Sequence, residues 1–202
     1  MSHEDQAFRS LLAHLKARGL LMQHDARLPS VSAMVAGGPI RGSWWGHPMG
    51  GSIFMVAERL ADHRDVMICK LIGSKVTYVH RDLWPDLLAV ARSQGPWQMD
   101  GLPAAARALL RRLAREGMLR TDQTPASAEP ARELERRLLV HAAQVHTESG
   151  AHARALMTWE RWARSVRCRP TASVQRARQR LEAAALALGE GSGPSPRLPW
   201  MR

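Results

Sequence analysis

Residues 66–80 run Val66-Met67-Ile68-Cys69-Lys70-Leu71-Ile72-Gly73-Ser74-Lys75-Val76-Thr77-Tyr78-Val79-His80. Two runs rich in β-formers flank Gly73-Ser74, and glycine in the first turn position suits a two-residue type II′ turn. The stretch predicts a β-hairpin. Cys69 sits mid-strand among Val66, Ile68 and Leu71 and reads as core, not as a nucleophile.

Upstream of the hairpin the spacing is helical. Phe8, Leu11, Leu12 and Leu15 recur on one face over 4–18, and Gly19 follows as a C-terminal cap. Ser30 is placed to cap a short helix ending at Gly37-Gly38. Ser52 caps a third over 53–63, with Ile53, Val56, Ala57 and Leu60 on one side. Three helices and then a hairpin resemble the element order of a winged-helix domain. That resemblance implies a helix for the major groove and a wing for the backbone. Two features depart from it. The third helix offers few base-reading donors (Glu58, Arg59, Asp62, His63 and Arg64), and the connection before it, 38–51, is long.

Downstream, 82–92 and 103–116 read as helices, the second ended by Gly117. Residues 122–130 read as a linker. Three further helices are expected at about 130–148, 150–166 and 171–188, then a mobile Gly/Pro/Ser tail. The fold class expected is mainly α with one β-hairpin. It comprises a winged-helix-like domain over 1–122, a basic three-helix region over 130–189 and a tail over 190–202. No repeat of fixed period is visible.

The connection 38–51 contains Gly42-Ser43-Trp44-Trp45-Gly46-His47-Pro48. Adjacent side chains of an extended segment point to opposite sides, so one Trp is expected in the core and the other available. Glycines let a partner approach the backbone, Arg41 adds a cation and His47 a titratable group. Ser43-Trp44-Trp45-Gly46-His47-Pro48, Lys75-Val76-Thr77-Tyr78-Val79-His80 and Leu83-Trp84-Pro85 together resemble a pattern of an uncharacterised bacterial family over about residues 38–90. The resemblance carries no activity and implies only that this stretch behaves as one unit.

Charge bears most on function. The chain of 202 residues has 29 Lys+Arg against 18 Asp+Glu, a net charge of +11 and a pI near 11.3. Residues 1–101 hold 11 basic and 9 acidic groups, whereas 102–202 hold 18 and 9. Between Arg154 and Arg180 eight arginines face one acid, Glu160. Arginine binds phosphate bidentately and stacks on bases, so this region suits nucleic acid through counterion release. The expected contacts are Arg41, Trp44, Trp45, His47, Lys70, Lys75, Arg154, Arg161, Arg164, Arg167 and Arg169. The function expected is nucleic-acid binding, with DNA favoured, in transcription or repair. An adaptor docking an acidic protein on the Arg-rich helices is an alternative. So is a nucleobase-directed enzyme centred on 41–51, with Glu58 or Lys70 as its reactive group.

Several classes have no support in the sequence. It contains no Walker A, HExxH, CxxC or GxSxG motif, so no cofactor and no metal is expected. His141 and His146 are five apart and do not share a helix face. No apolar run reaches the length of a membrane span, and the N-terminus lacks an apolar signal core. With two cysteines and no disulfide framework, a cytoplasmic setting is expected.

Overall fold

The computed structural model describes residues 2–123, 128–146, 152–190 and 196–201. The chain divides into two units, one of residues 1–84 with 179–202 and one of 85–178. The sequence reading places its boundary at 122 instead.

The first unit begins with α1 (His3–Arg18). Ser2 and Asp5 close its N-terminus as a reciprocal capping box. Gly19, at φ 79°, ends it by donating its N–H to the Leu15 carbonyl at 2.7 Å. There follow β1 (Leu20–Met22), α2 (Val31–Ala36) capped by Ser30, and a 3-10 turn at Trp44–Gly46. Then come α3 (Gly50–Ala61), β2 (Val66–Lys70) and β3 (Val76–His80). The strands form one antiparallel sheet in the order β1-β3-β2. Leu20 pairs with Val79 and Leu21 with Tyr78 on one side of β3, and Ile68 pairs with Tyr78 on the other. The hairpin therefore does not stand alone. The fully buried residues 20–22 cover the edge of β3 that a lone hairpin would leave unpaired.

The turn is type I′, not II′. Gly73 and Ser74 both have positive φ, 55° and 60°, and Lys75 donates its N–H to the Ile72 carbonyl. Phe8, Leu11, Leu15, Val31, Val35, Ile53, Val56, Leu60 and Tyr78 make the core of this unit. The Tyr78 hydroxyl reaches the Ala57 carbonyl at 3.3 Å. Residues 196–201, expected to be a mobile tail, are packed on the same unit. Leu198 is buried, Trp200 Nε1 donates to Glu182 Oε1 at 2.7 Å, and the Gly73 N–H reaches the Arg197 carbonyl.

The second unit takes up most of α4 (Trp84–Ala91), then α5 (Pro96–Met99), α6 (Ala104–Glu116) and β4 (Met118–Arg120). It continues with α7 (Ala128–Arg136), β5 (His141–His146), β6 (His152–Met157) and α8 (Trp159–Ser165). The final helix, α9 (Val174–Gly189), begins in this unit and ends in the first.

A second antiparallel sheet, in the order β4-β6-β5, overturns the expectation of a purely helical C-terminal region with one hairpin in the whole chain. Where helices 130–148 and 150–166 were expected, the chain forms one helix, two strands and a short helix. The Ala-, Arg- and Leu-rich sequence favours helix locally. Leu138 nevertheless adopts φ 51°, which stops α7, and Leu119 of β4 pairs with Leu156 of β6 in the core. Such burial overrides local preference. The helix–glycine–strand corner recurs here: Gly117, at φ 77°, donates to the Leu113 carbonyl at 2.7 Å before β4 begins.

Gln98, fully buried, joins α4, α5 and the end of α7. Its Oε1 accepts from the Gly95 N–H and the Ser93 hydroxyl, and its Nε2 donates to the Ala91 and Arg137 carbonyls.

Candidate nucleic-acid interface

The second unit has 16 arginines and 9 acidic residues. Most of its acids are consumed in ion pairs. Arg92 bonds Glu160, Arg112 bonds Glu116, Arg120 bonds Asp122, and Arg132 bonds Glu129. Glu133 takes both Arg136 and Arg137. Glu135, only 6% exposed, takes Arg154 at 2.6 Å. Arg154, expected on a helix among the binding residues, is thus a strand residue tied to a buried carboxylate. Its guanidinium is half committed to the fold before any ligand arrives.

Seven arginines are exposed and make no side-chain hydrogen bond or ion pair with any described residue. Arg176 lies in the first turn of α9. The other six are Arg111, Arg115, Arg161, Arg164, Arg167 and Arg169, on α6, α8 and the segment after α8. Arg111 and Arg115 lie one turn apart on α6, whose buried face is Ala106, Leu109 and Leu113. Arg161 and Arg164 lie on α8, which buries Trp159, Trp162 and Ala163 and so turns its arginines outward. The two helices meet at Gly117: a Cβ there would lie 3.4 Å from Arg161 Nη1. Arg161 therefore leans over the C-terminal end of α6, where outward-facing carbonyls favour a cation. Arg167, at φ 54°, turns the chain out of α8 with its own N–H on the Arg164 carbonyl and the Cys168 N–H on the Ala163 carbonyl. Arg169 follows directly.

Sequence reading named four of these six. It missed Arg111 and Arg115, although their spacing of four in Ala104–Glu116 was visible, because a charge run on a helix is ordinarily just a solvated face.

The residues expected in the first unit are arranged differently. Lys75 Nζ is held by Asp25 Oδ2 at 2.7 Å, so it is not a free phosphate contact at the hairpin tip. Burial raises the Asp25 carboxyl, but the bond from Lys75 and those from the Arg27 and Leu28 N–H groups outweigh it and lower its pKa. Lys70, on β2, is partly buried and has a partner of its own. Arg41 is exposed. Trp44 is buried in the core, while Trp45 is 66% exposed and stacks on it, with centroids 4.1 Å apart and planes 22° apart. His47 Nδ1 accepts the Met49 N–H at 3.1 Å, a turn-forming bond. On α3, Arg59 is taken by Asp5 and by the face of Phe8, 4.2 Å from its centroid.

Among the described residues no three His, Cys, Asp or Glu side chains are grouped to hold a metal ion, and no helix is long and apolar enough to cross a membrane. Burial pushes the Cys69 thiol up to about 12, which leaves it protonated and poorly nucleophilic. No family model, curated protein or solved structure matches this chain.

Proposed function

We propose that this chain binds nucleic acid through the exposed arginines of α6, α8 and the segment that follows α8. The observation that carries this reading is how the second unit distributes its ion pairs. Its carboxylates pair with Arg92, Arg112, Arg120, Arg132, Arg136, Arg137 and Arg154 and leave Arg111, Arg115, Arg161, Arg164, Arg167 and Arg169 without a side-chain hydrogen bond or ion pair among the described residues. Guanidinium groups bind phosphate oxygens bidentately, so several of them on two helices that meet at Gly117 suit a phosphate backbone. Binding releases the counterions condensed on that backbone, which drives association without any base contact. DNA is the first partner to test, and RNA of the same sequence is the comparison.

Fluorescence anisotropy with labelled duplex and single-stranded oligonucleotides, titrated across salt concentration, tests this. Log affinity should fall linearly with log salt. The double variant R161E/R164E should weaken binding and reduce the slope by about 0.7–0.9 for each phosphate it no longer neutralises. No binding at low salt, or an unchanged slope in the variant, overturns the reading. Equal affinity for polyglutamate would favour an acidic protein partner and overturn it as well.

A further inference from the structure

The exposed ring of Trp45 has a construction that solvent exposure alone does not call for. Its indole is supported from beneath by Trp44, which is buried with Ile53, Val56 and Tyr78. Phe54 meets it at a tilt, centroids 5.8 Å apart, and the rest of the ring stays open. Met55, on the outer side of α3, is 62% exposed.

The backbone beneath the ring is pinned at several points. The Ser43 hydroxyl accepts the Trp45 N–H at 3.4 Å, and the His47 N–H reaches the Trp44 carbonyl at 3.1 Å. The Gly42 carbonyl is held by His24 Nε2 at 2.8 Å, and Nδ1 of the same ring meets the Ser32 hydroxyl at 2.8 Å. Gly50 closes the turn: a Cβ there would lie 3.0 Å from the Trp45 carbonyl oxygen and 3.2 Å from that of Trp44. The result is a flat aromatic surface held rigidly toward solvent, so little ordering entropy remains to be lost on binding.

Its charge narrows the partner. Residues 37–51 contain Arg41 and His47 and no carboxylate. Arg41 is exposed and has no side-chain partner among the described residues. Glu4 reaches the start of α3 through the Ser52 hydroxyl at 2.9 Å, so the helix end is already served by an anion. Recognition here falls to the ring, with the exposed Arg41 four residues before it in a segment that carries no carboxylate. A ligand that offers a planar π-face together with negative charge fits both.

We infer that Trp45 is a stacking platform for an unpaired nucleobase, which makes single-stranded nucleic acid the substrate class of this chain; the inference rests on the nucleic-acid reading above. In a duplex both faces of each internal base are covered by its neighbours, whereas in a single strand a face is free to lie on the indole.

The test compares wild type, W45A, W45F and R161E/R164E against an oligothymidylate, an abasic strand of equal length and a blunt duplex. W45A should bind oligothymidylate about tenfold or more weakly, with W45F retaining most of the affinity and the abasic strand and duplex unchanged. The arginine variant should weaken all three. If W45A binds oligothymidylate like wild type while the arginine variant loses binding, the platform is refuted and the nucleic-acid reading stands. If wild type binds none of the three, that reading itself fails. A W45F loss as large as that of W45A refutes stacking. So does a W45A variant that only converts a dimer to a monomer in analytical ultracentrifugation.

Discussion

The imidazole of His141 lies almost parallel to the indole of Trp162, with centroids 5.5 Å apart and planes 14° apart, while Trp159 meets it edge-on at 85°. Its Nδ1 is buried without a hydrogen-bond partner among the described residues, and burial pushes its pKa down to about 4. The fold accommodates the neutral ring and excludes the charged one.

Acid stability follows from this. The unfolded chain takes up a proton at His141 near pH 6.5, but the folded chain does so only near pH 4. Between those values the unfolded state binds more protons, so stability falls as pH drops, by about 1.4 kcal/mol per unit and roughly 3 kcal/mol in all. Above pH 6.5 the residue adds no pH dependence. Urea unfolding of wild type and H141F from pH 7 to 4 should give stability curves that diverge steadily below pH 6.5. Parallel curves would contradict this.

Gln98 satisfies four polar groups at once, so truncating it should cost more than an average substitution. Q98A leaves the Gly95 N–H and the Ala91 and Arg137 carbonyls to find new partners, while the Ser93 hydroxyl keeps the Val90 carbonyl at 2.7 Å. A loss of about 2–4 kcal/mol in urea unfolding is expected. A loss below about 0.5 kcal/mol would show that the network is dispensable.

The two glycine corners should respond unequally. Gly19 and Gly117 share a left-handed φ, so alanine at either costs about 1 kcal/mol in backbone strain. At Gly19 a Cβ would also lie 2.6 Å from Leu83 Cδ1, whereas at Gly117 the nearest atom is Nη1 of the flexible Arg161. G19A should therefore lower the melting temperature more than G117A. The reverse order would refute the packing argument.

Lys75 provides a control for the interface. Because Asp25 already holds it, K75A should leave nucleic-acid affinity within about twofold of wild type, and should cost no more than about 1 kcal/mol of stability because the pair is partly exposed. R164A, which removes a cation with no such partner, should weaken binding several-fold. An equal effect in both variants would move the interface to the hairpin.

Much of the first unit was legible along the chain. α1, α2 and the hairpin depend on neighbours in sequence: Ser2 and Ser30 as caps, Gly19 as a stop, Gly73-Ser74 as a turn. The tryptophan pair does divide into one ring inside and one outside, but not by divergence along an extended segment. Trp44 and Trp45 open a 3-10 turn with their rings stacked, and the packing of Trp44 beside Ile53 and Val56 decides which of them is buried. The second unit differs from the sequence expectation because residues 141–157 carry helix-favouring alanine, and it is the pairing of β5 with β6, and of β6 with β4, that makes them strands.

The sequence by itself determined the amount and sign of the charge, the stop of α1, both ends of α2 and the place of the hairpin turn. Only the tertiary structure decided which cations are free. Arg154 and Arg164 are indistinguishable as letters in a basic stretch, yet one is bonded to the buried Glu135 and the other faces solvent without a partner among the described residues. Whether a guanidinium can meet a phosphate depends on the carboxylates folded against it. For Arg154 and Arg92 that carboxylate lies 19 and 68 residues away in the chain and becomes a neighbour only when the sheet and helices have packed.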